Sequence, residues 1–214
     1  MRLYAKIYVF AYVLLVVTMF VLPLFSFNGY SLTQNTISEL GAQKVPGNWL
    51  ANTTIIVLSL AIVVLATKQI VTYWKQLTAL YFFCTTLLFT GVYQLAGLDA
   101  HQHIFNYTSD ALHSLFSMLT GFAFGLFCIL LIFILKKRKH QWQTFGVFCL
   151  AFIVPLLMWQ YPEYRGIYER ILFLVSFGWL FYALTTYQFK NRKMSGSRTK
   201  HYNALKKHLH TDEK

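Results

Sequence analysis

Residues 112–135 read LHSLFSMLTGFAFGLFCILLIFIL, and Lys136-Lys137-Arg138-Lys139 follows at once. A helix needs about 20 apolar residues to cross a hydrocarbon core about 30 Å thick, and this stretch supplies them with no Asp, Glu, Lys or Arg. Lipid offers no hydrogen bonds to exposed backbone, so a segment within it is either helical or part of a closed barrel. The period-two alternation of an outer-membrane strand is absent. Leu112–Leu135 is therefore expected to be a membrane-crossing helix that ends at a basic surface.

Five further stretches have the same character: Ile7–Phe27, Trp49–Thr67, Leu77–Leu98, Phe145–Tyr161 and Ile171–Phe189. The expected fold is all-α, a polytopic membrane protein with a six-transmembrane-helix bundle over 1–189 and a basic tail over 190–214. Composition agrees. The 214 residues are 57% hydrophobic and 12% charged, whereas soluble domains carry about 25% charged residues. Arg2 and Lys6 give the first stretch the start of a signal peptide, but its apolar core is too long and no small-x-small site follows. Cys84, Cys128 and Cys149 lie inside apolar runs without a CxxC pair and read as small buried hydrophobes.

A net charge of +12 raises the question of nucleic acid, and the placement of the charges answers it. Sixteen Lys and Arg flank one set of helix ends or lie in the tail, against three, Lys44, Arg165 and Arg170, at the other. The positive-inside bias then puts both termini in the cytoplasm and sets the chain in the cell membrane. Trp49 and Trp159 fall at outer ends and Trp74 and Trp142 at inner ones, as an interfacial aromatic belt requires. The tail segment His201–His208 is basic; it either lies on anionic lipid or is a solvated stretch that only enforces topology. No stacking aromatics or known module accompany it, so nucleic acid is not an expected partner. Nothing in the sequence sets an oligomeric state.

The polar residues gather at the outer face. Ile37-Ser38-Glu39-Leu40-Gly41 reads as a loop folded onto the bundle or as a turn in which Gly41 supplies a positive φ. Asp99, His101, His103, Asp110 and His113 occupy one segment without Lys or Arg. His and Asp ligate zinc and relay protons. The plainer reading makes Asp110 a helix cap in Thr108-Ser109-Asp110 and His113 an interhelical hydrogen-bonding group. Arg165 and Glu169 are spaced to pair along a helix. Arg170 then has to snorkel or find a carboxylate elsewhere, with Glu39 and Asp110 available. The inner half is nearly featureless, and Pro155, Gly121 and Gly125 are the only hints of broken helices, which argues against a transport pathway; only His113 is placed to approach a haem.

Ile37–Gly41, His113 and Gly166-x-x-Glu169-Arg170 before a Trp179-bearing last helix resemble the prokaryotic membrane proteins called domain of unknown function 998. The Ser-Glu-Leu-Gly loop is similar, more distantly, to the Frag1/DRAM/Sfk1 membrane proteins. The resemblance implies a six-helix bundle and one constellation of Ser38, Glu39, Gly41, His113, Glu169 and Arg170. It supplies no catalytic residue. Ceramidase-like zinc hydrolases are a poorer comparison, because no His occurs between His140 and His201.

The functional expectation is a membrane protein whose outer polar cluster is structural or binds a lipid or small ligand, with no cofactor implied. The alternative is a metal-dependent hydrolase of a lipid or envelope substrate at the outer leaflet, with zinc on the Asp99–His113 segment and Glu39 as base. Both depend on the topology. A cysteine introduced at Gln102 in an otherwise Cys-free chain is expected to react with an impermeant maleimide on intact cells, whereas one at Gln141 is expected to react only after permeabilisation. The reverse pattern would invert the map.

Overall fold

The computed structural model describes residues 2–97 and 105–187, and its helices are α1 (Leu3–Val21), α2 (Ile37–Leu40), α3 (Asn48–Ile70), α4 (Trp74–Val92), α5 (Tyr107–Ile134), α6 (Arg138–Gln160) and α7 (Arg165–Thr186). Short 3-10 turns at Leu22–Phe25 and Pro162–Tyr164 prolong α1 and introduce α7. Five helices are long and apolar enough to cross a membrane: α1 with its turn, α3, α5, α6, and α7 with its turn. The chain is an all-α membrane bundle. The remaining long helix, α4, has 19 residues but opens on Trp74-Lys75-Gln76 and includes Thr78, Thr85, Thr86 and Thr90, which dilute its apolar content.

The helices form a ring in which each packs on its neighbour in sequence, from α1 to α3, α4, α5, α6 and α7, with α7 returning to α1 and α3. The short α2 rests on α3 and α7 at one end. Large apolar side chains cover the outside: Phe10, Phe133 and Leu156 are 68%, 69% and 64% exposed. A water-soluble surface does not carry a continuous apolar belt of this kind; lipid is the solvent these residues are suited to.

Lipid tails are as apolar as leucine, so close packing and hydrogen bonds hold such helices together. The Tyr8 and Tyr12 hydroxyls on α1 each donate at 2.8 Å to α7 carbonyls, of Phe177 and Leu174. Ser59 donates to Cys84 O at 2.7 Å, joining α3 to α4, and Gln76 donates to Leu130 O at 2.9 Å, joining α4 to α5. Cys84, Cys128 and Cys149 are free thiols, as their apolar settings implied.

The helix bounds differ from the hydropathy runs for a physical reason. An apolar run marks the lipid-facing part of a helix, whereas the helix ends where its backbone finds other partners. The run expected to reach Leu98 leaves the helix at Tyr93, whose ψ is 133°, because Gln94 N and Ala96 N bond instead to the side chains of Ser109 and Asp110 in the first turn of α5. Helix α5 starts at Tyr107, upstream of Leu112, because Asn106 caps it by accepting from Ser109 N at 3.0 Å. Arg138 and Arg165 likewise open α6 and α7 ahead of the expected Phe145 and Ile171. The basic tail from 190 onward lies outside the described residues.

Gly91 sets the α3–α4 separation. A Cβ there would stand 2.9 Å from Ile56 Cγ1 and 3.0 Å from the Asn52 carbonyl oxygen. Gly91→Val is expected to lower stability by about 1–3 kcal/mol, the usual cost of overpacking, seen as a lower Tm for the detergent-solubilised protein. An unchanged Tm would show that this contact does not limit helix approach.

Candidate functional site

The polar end is built around a four-residue helix. Thr36-Ile37-Ser38-Glu39 forms a complete capping box at the start of α2. Thr36 Oγ1 accepts from Glu39 N at 3.2 Å, and Glu39 Oε2 accepts from Thr36 N at 2.9 Å. So short a helix has little stability of its own; Ile37 and Leu40, both buried, anchor it to the bundle. Gly41 follows with φ −85°, not the positive φ expected of it. A small residue is needed there because a Cβ would come within 2.3 Å of Asn52 Oδ1, and Asn52 Nδ2 donates to Gly41 O at 2.9 Å.

Helix α7 supplies the other half. Glu169 accepts from Ile37 N and, at 3.2 Å, from Ser38 Oγ, so its carboxylate caps α2 from outside. Arg165 turns away from Glu169. It pairs with Glu39 Oε1 at 2.5 Å and donates to Gln34 O at 2.9 Å. The expected Arg165–Glu169 helix pair is thus replaced by a tie between α7 and α2. Gly166 passes beneath the preceding loop so closely that a Cβ would stand 2.4, 2.6 and 2.9 Å from the carbonyl oxygens of Asn35, Leu32 and Thr33.

Arg170 is 3% exposed and bonds to no carboxylate among the described residues. Its guanidinium donates to the carbonyls of Leu32, Asn35 and Gly166 at 2.8–3.0 Å, to Met19 O at 3.4 Å, and to the Tyr30 hydroxyl at 2.7 Å. Five donors in a rigid plane suit this task in a way an ammonium does not. The Tyr30 hydroxyl donates onward to Thr36 O at 2.8 Å. Burial pushes its pKa up to about 12, against the opposing pull of Arg170, so it remains a donor at physiological pH. Glu39, Ser38, Glu169, Arg165 and Arg170 therefore converge on α2.

Asp110 and His113 belong to an adjoining network. Asp110 Oδ1 accepts from Ala96 N at 2.7 Å, which pins the α4–α5 connection; the α5 cap is Asn106, in place of the expected Asp110. His113 Nδ1 lies 3.0 and 2.8 Å from the carbonyl oxygens of Thr90 and Tyr93. Both partners are acceptors, so Nδ1 carries the proton. His113 reaches the α2 cluster through a water-sized cavity of about 30 Å³ that it lines with Ser38, Asn52 and Thr90. Among the described residues no three His, Cys, Asp or Glu side chains gather as a metal site would require. Asp99, His101 and His103 lie outside the described residues.

Beneath α2, between α4, α5, α6 and α7, is a larger cavity of about 250 Å³. Ser38 and Glu169 line one end, and Phe83, Phe124 and Phe177 line the apolar depth. Ser176 also lines it; this side chain is 7% exposed and its hydroxyl has no hydrogen-bond partner among the described residues. Gly121 and Pro155 line the cavity and are also exposed on the outside of the bundle. The sequence reading missed Ser176, which looked like one more small residue in an apolar run. It also missed Thr36, although the Thr-x-x-Glu spacing is the capping-box signature.

Fold and site together define a polytopic helical membrane protein whose polar end is tied down over an internal chamber. Over residues 9–186 the chain matches the family model described as "Protein of unknown function (DUF998)", and it belongs to that family. No curated protein and no solved structure matches it, so the likeness to the Frag1/DRAM/Sfk1 proteins gains no support.

The two arginines are expected to differ sharply on substitution. Arg170→Lys keeps the charge but leaves several buried carbonyls unpaired, at about 1–3 kcal/mol each. Arg165→Gln removes a partly exposed ion pair and is expected to cost about 1 kcal/mol or less. Melting of both variants in detergent tests this order. Equal losses would contradict the role given to Arg170.

Proposed function

We propose that the protein is a non-enzymatic, membrane-embedded binding protein in which the α2 cluster is a structural closure and the chamber below it holds a lipid or small apolar ligand. The carrying observation is the cavity of about 250 Å³ with the unpartnered Ser176 hydroxyl on its wall. The volume lies just under the usual range for ligand clefts, about 300–1,000 Å³. Mostly apolar walls with a few placed polar groups are the usual lining of such sites.

The charged residues at the α2 end fit closure better than catalysis. Glu39 and Glu169 each accept from two or more donors, and the donors of Arg165 and Arg170 go to Glu39, Tyr30 and backbone carbonyls. A general acid or base needs reach to a reacting proton, and these groups are directed at one another. In this reading the chain crosses the cell membrane six times, α4 included, with both termini cytoplasmic. The Lys and Arg excess of sixteen to three supports that orientation. Entry is from the side, through the α5–α6 seam where Gly121 and Pro155 leave least bulk.

Ser176→Phe places a ring inside the chamber. Native mass spectrometry of the membrane-extracted parent is expected to show one retained apolar molecule per chain, absent from this variant, with Tm unchanged or raised by cavity filling. A parent without such an adduct, or a variant that keeps it, would sink the proposal.

A further inference from the structure

Resting on the chamber reading above, we infer that the ligand is a neutral apolar alcohol, held head-first with its hydroxyl at the deep end of the chamber against Ser176 and the Ala151 carbonyl. The argument is a balance of hydrogen-bonding capacity around the cavity wall. At the α2 end the hydroxyl donors of Ser38, Thr90 and Thr120 are taken. Ser38 Oγ donates to Glu169, and Glu169 also accepts from Ile37 N. Thr90 and Thr120 donate to their own helices, to Thr86 O at 3.0 Å and Phe116 O at 2.7 Å.

The deep end is different. Ser176 lies seven residues beyond Glu169, about 10.5 Å farther along α7 at 1.5 Å per residue. Its hydroxyl has neither donor nor acceptor satisfied, and a buried group left so costs free energy. Across the cavity, Pro155 stands inside α6 with Ala151 one turn before it, and both line the same chamber. Proline has no N–H, so the Ala151 carbonyl is denied its normal helix donor. The residues bordering this depth therefore include one hydroxyl that can donate or accept, on α7, and, on α6, a carbonyl short of its helix donor that can only accept. A ligand hydroxyl complements both. It accepts from Ser176 and donates to Ala151 O.

Charge selects the neutral form. Glu39 and Glu169 are matched by Arg165 and Arg170 at the α2 end, and the deep wall around Phe83, Phe124 and Phe177 carries no charge. An ammonium or carboxylate head would enter that depth uncompensated, at a large desolvation cost. Volume selects the pose. About 250 Å³ is below the usual range for ligand clefts, about 300–1,000 Å³. Such a volume takes a hydroxyl with a short length of chain, the remainder leaving past Gly121 and Pro155 into lipid.

The test uses three diazirine-bearing probes of equal chain length, hexadecanol, palmitic acid and hexadecane, with the parent chain in phosphatidylcholine nanodiscs. After irradiation, labelled α5, α6 and α7 peptides are quantified. Hexadecanol is expected to label the segments around Phe124, Pro155 and Ser176 above the other two. Ser176→Ala removes an unsatisfied group and is expected to fold at least as well as the parent. Its hexadecanol labelling should fall by about three- to tenfold, the range one net hydrogen bond supports, with hexadecane labelling unchanged. Equal labelling by all three probes, or hexadecanol labelling insensitive to Ser176→Ala, overturns the alcohol inference and leaves the chamber standing. Labelling insensitive to Ser176→Phe for every probe removes the chamber as well.

Discussion

The loop between α1 and α2 is bonded partly within itself, and the buried Arg170 guanidinium takes two of its carbonyls, those of Leu32 and Asn35. Irregular backbone at membrane depth is tolerated only where protein satisfies it. Leu32, Asn35, Gly166 and Met19 all turn carbonyls toward this one side chain, and Tyr30 adds its hydroxyl. The position of α2 follows from that anchorage. Once the loop is held, Ile37 N meets Glu169 and Glu39 meets Arg165, so each carboxylate is matched without leaving the protein. Burying a cation is costly. Here the cost is offset by hydrogen bonds from all three guanidinium nitrogens to protein acceptors, and by the Glu169 carboxylate nearby.

The bundle itself was legible in the sequence because hydropathy reports solvent directly. Segments such as Leu112–Leu135 have only one stable form in lipid, and the family match over residues 9–186 agrees with them. Helix ends were less legible, since a cap depends on one local hydrogen bond. Asn106, not Asp110, caps α5 because the Asp110 carboxylate is drawn off to Ala96 N in a neighbouring loop. That competition is invisible until the loops are placed. The family resemblance implied one constellation of Ser38, Glu39, Gly41, His113, Glu169 and Arg170, but not its pairing. Spacing along a helix suggests Arg165 with Glu169, yet α2 lies across that face and takes both.

The tightly bonded α2 end and the cavity beneath it divide the labour of the polar residues. Charged side chains attract attention in an apolar sequence, and an ionisable residue within a membrane segment is by default a functional candidate. In this chain those residues hold the loop and α2. Their hydrogen-bonding capacity is spent on the protein, so they fix the shape of the chamber roof. Apart from Ser38 and Glu169 at one end, the chamber is lined by residues that no motif flags, among them Ser117, Ser176, Pro155, Gly121 and several phenylalanines.

A polar atom left unpartnered in lipid is harder to explain than a paired one, and this inverts the usual order of suspicion. Arg170 is charged, buried and satisfied; stability alone accounts for it. Ser176 is neutral, buried and unsatisfied, and alanine would serve packing at that place without the penalty. The same asymmetry holds for Pro155, which forgoes a helix hydrogen bond inside α6 where other residues would keep it. Both irregularities border one cavity. A single hydroxyl on an apolar guest accounts for them together, whereas separate structural explanations would need a different compensation for each.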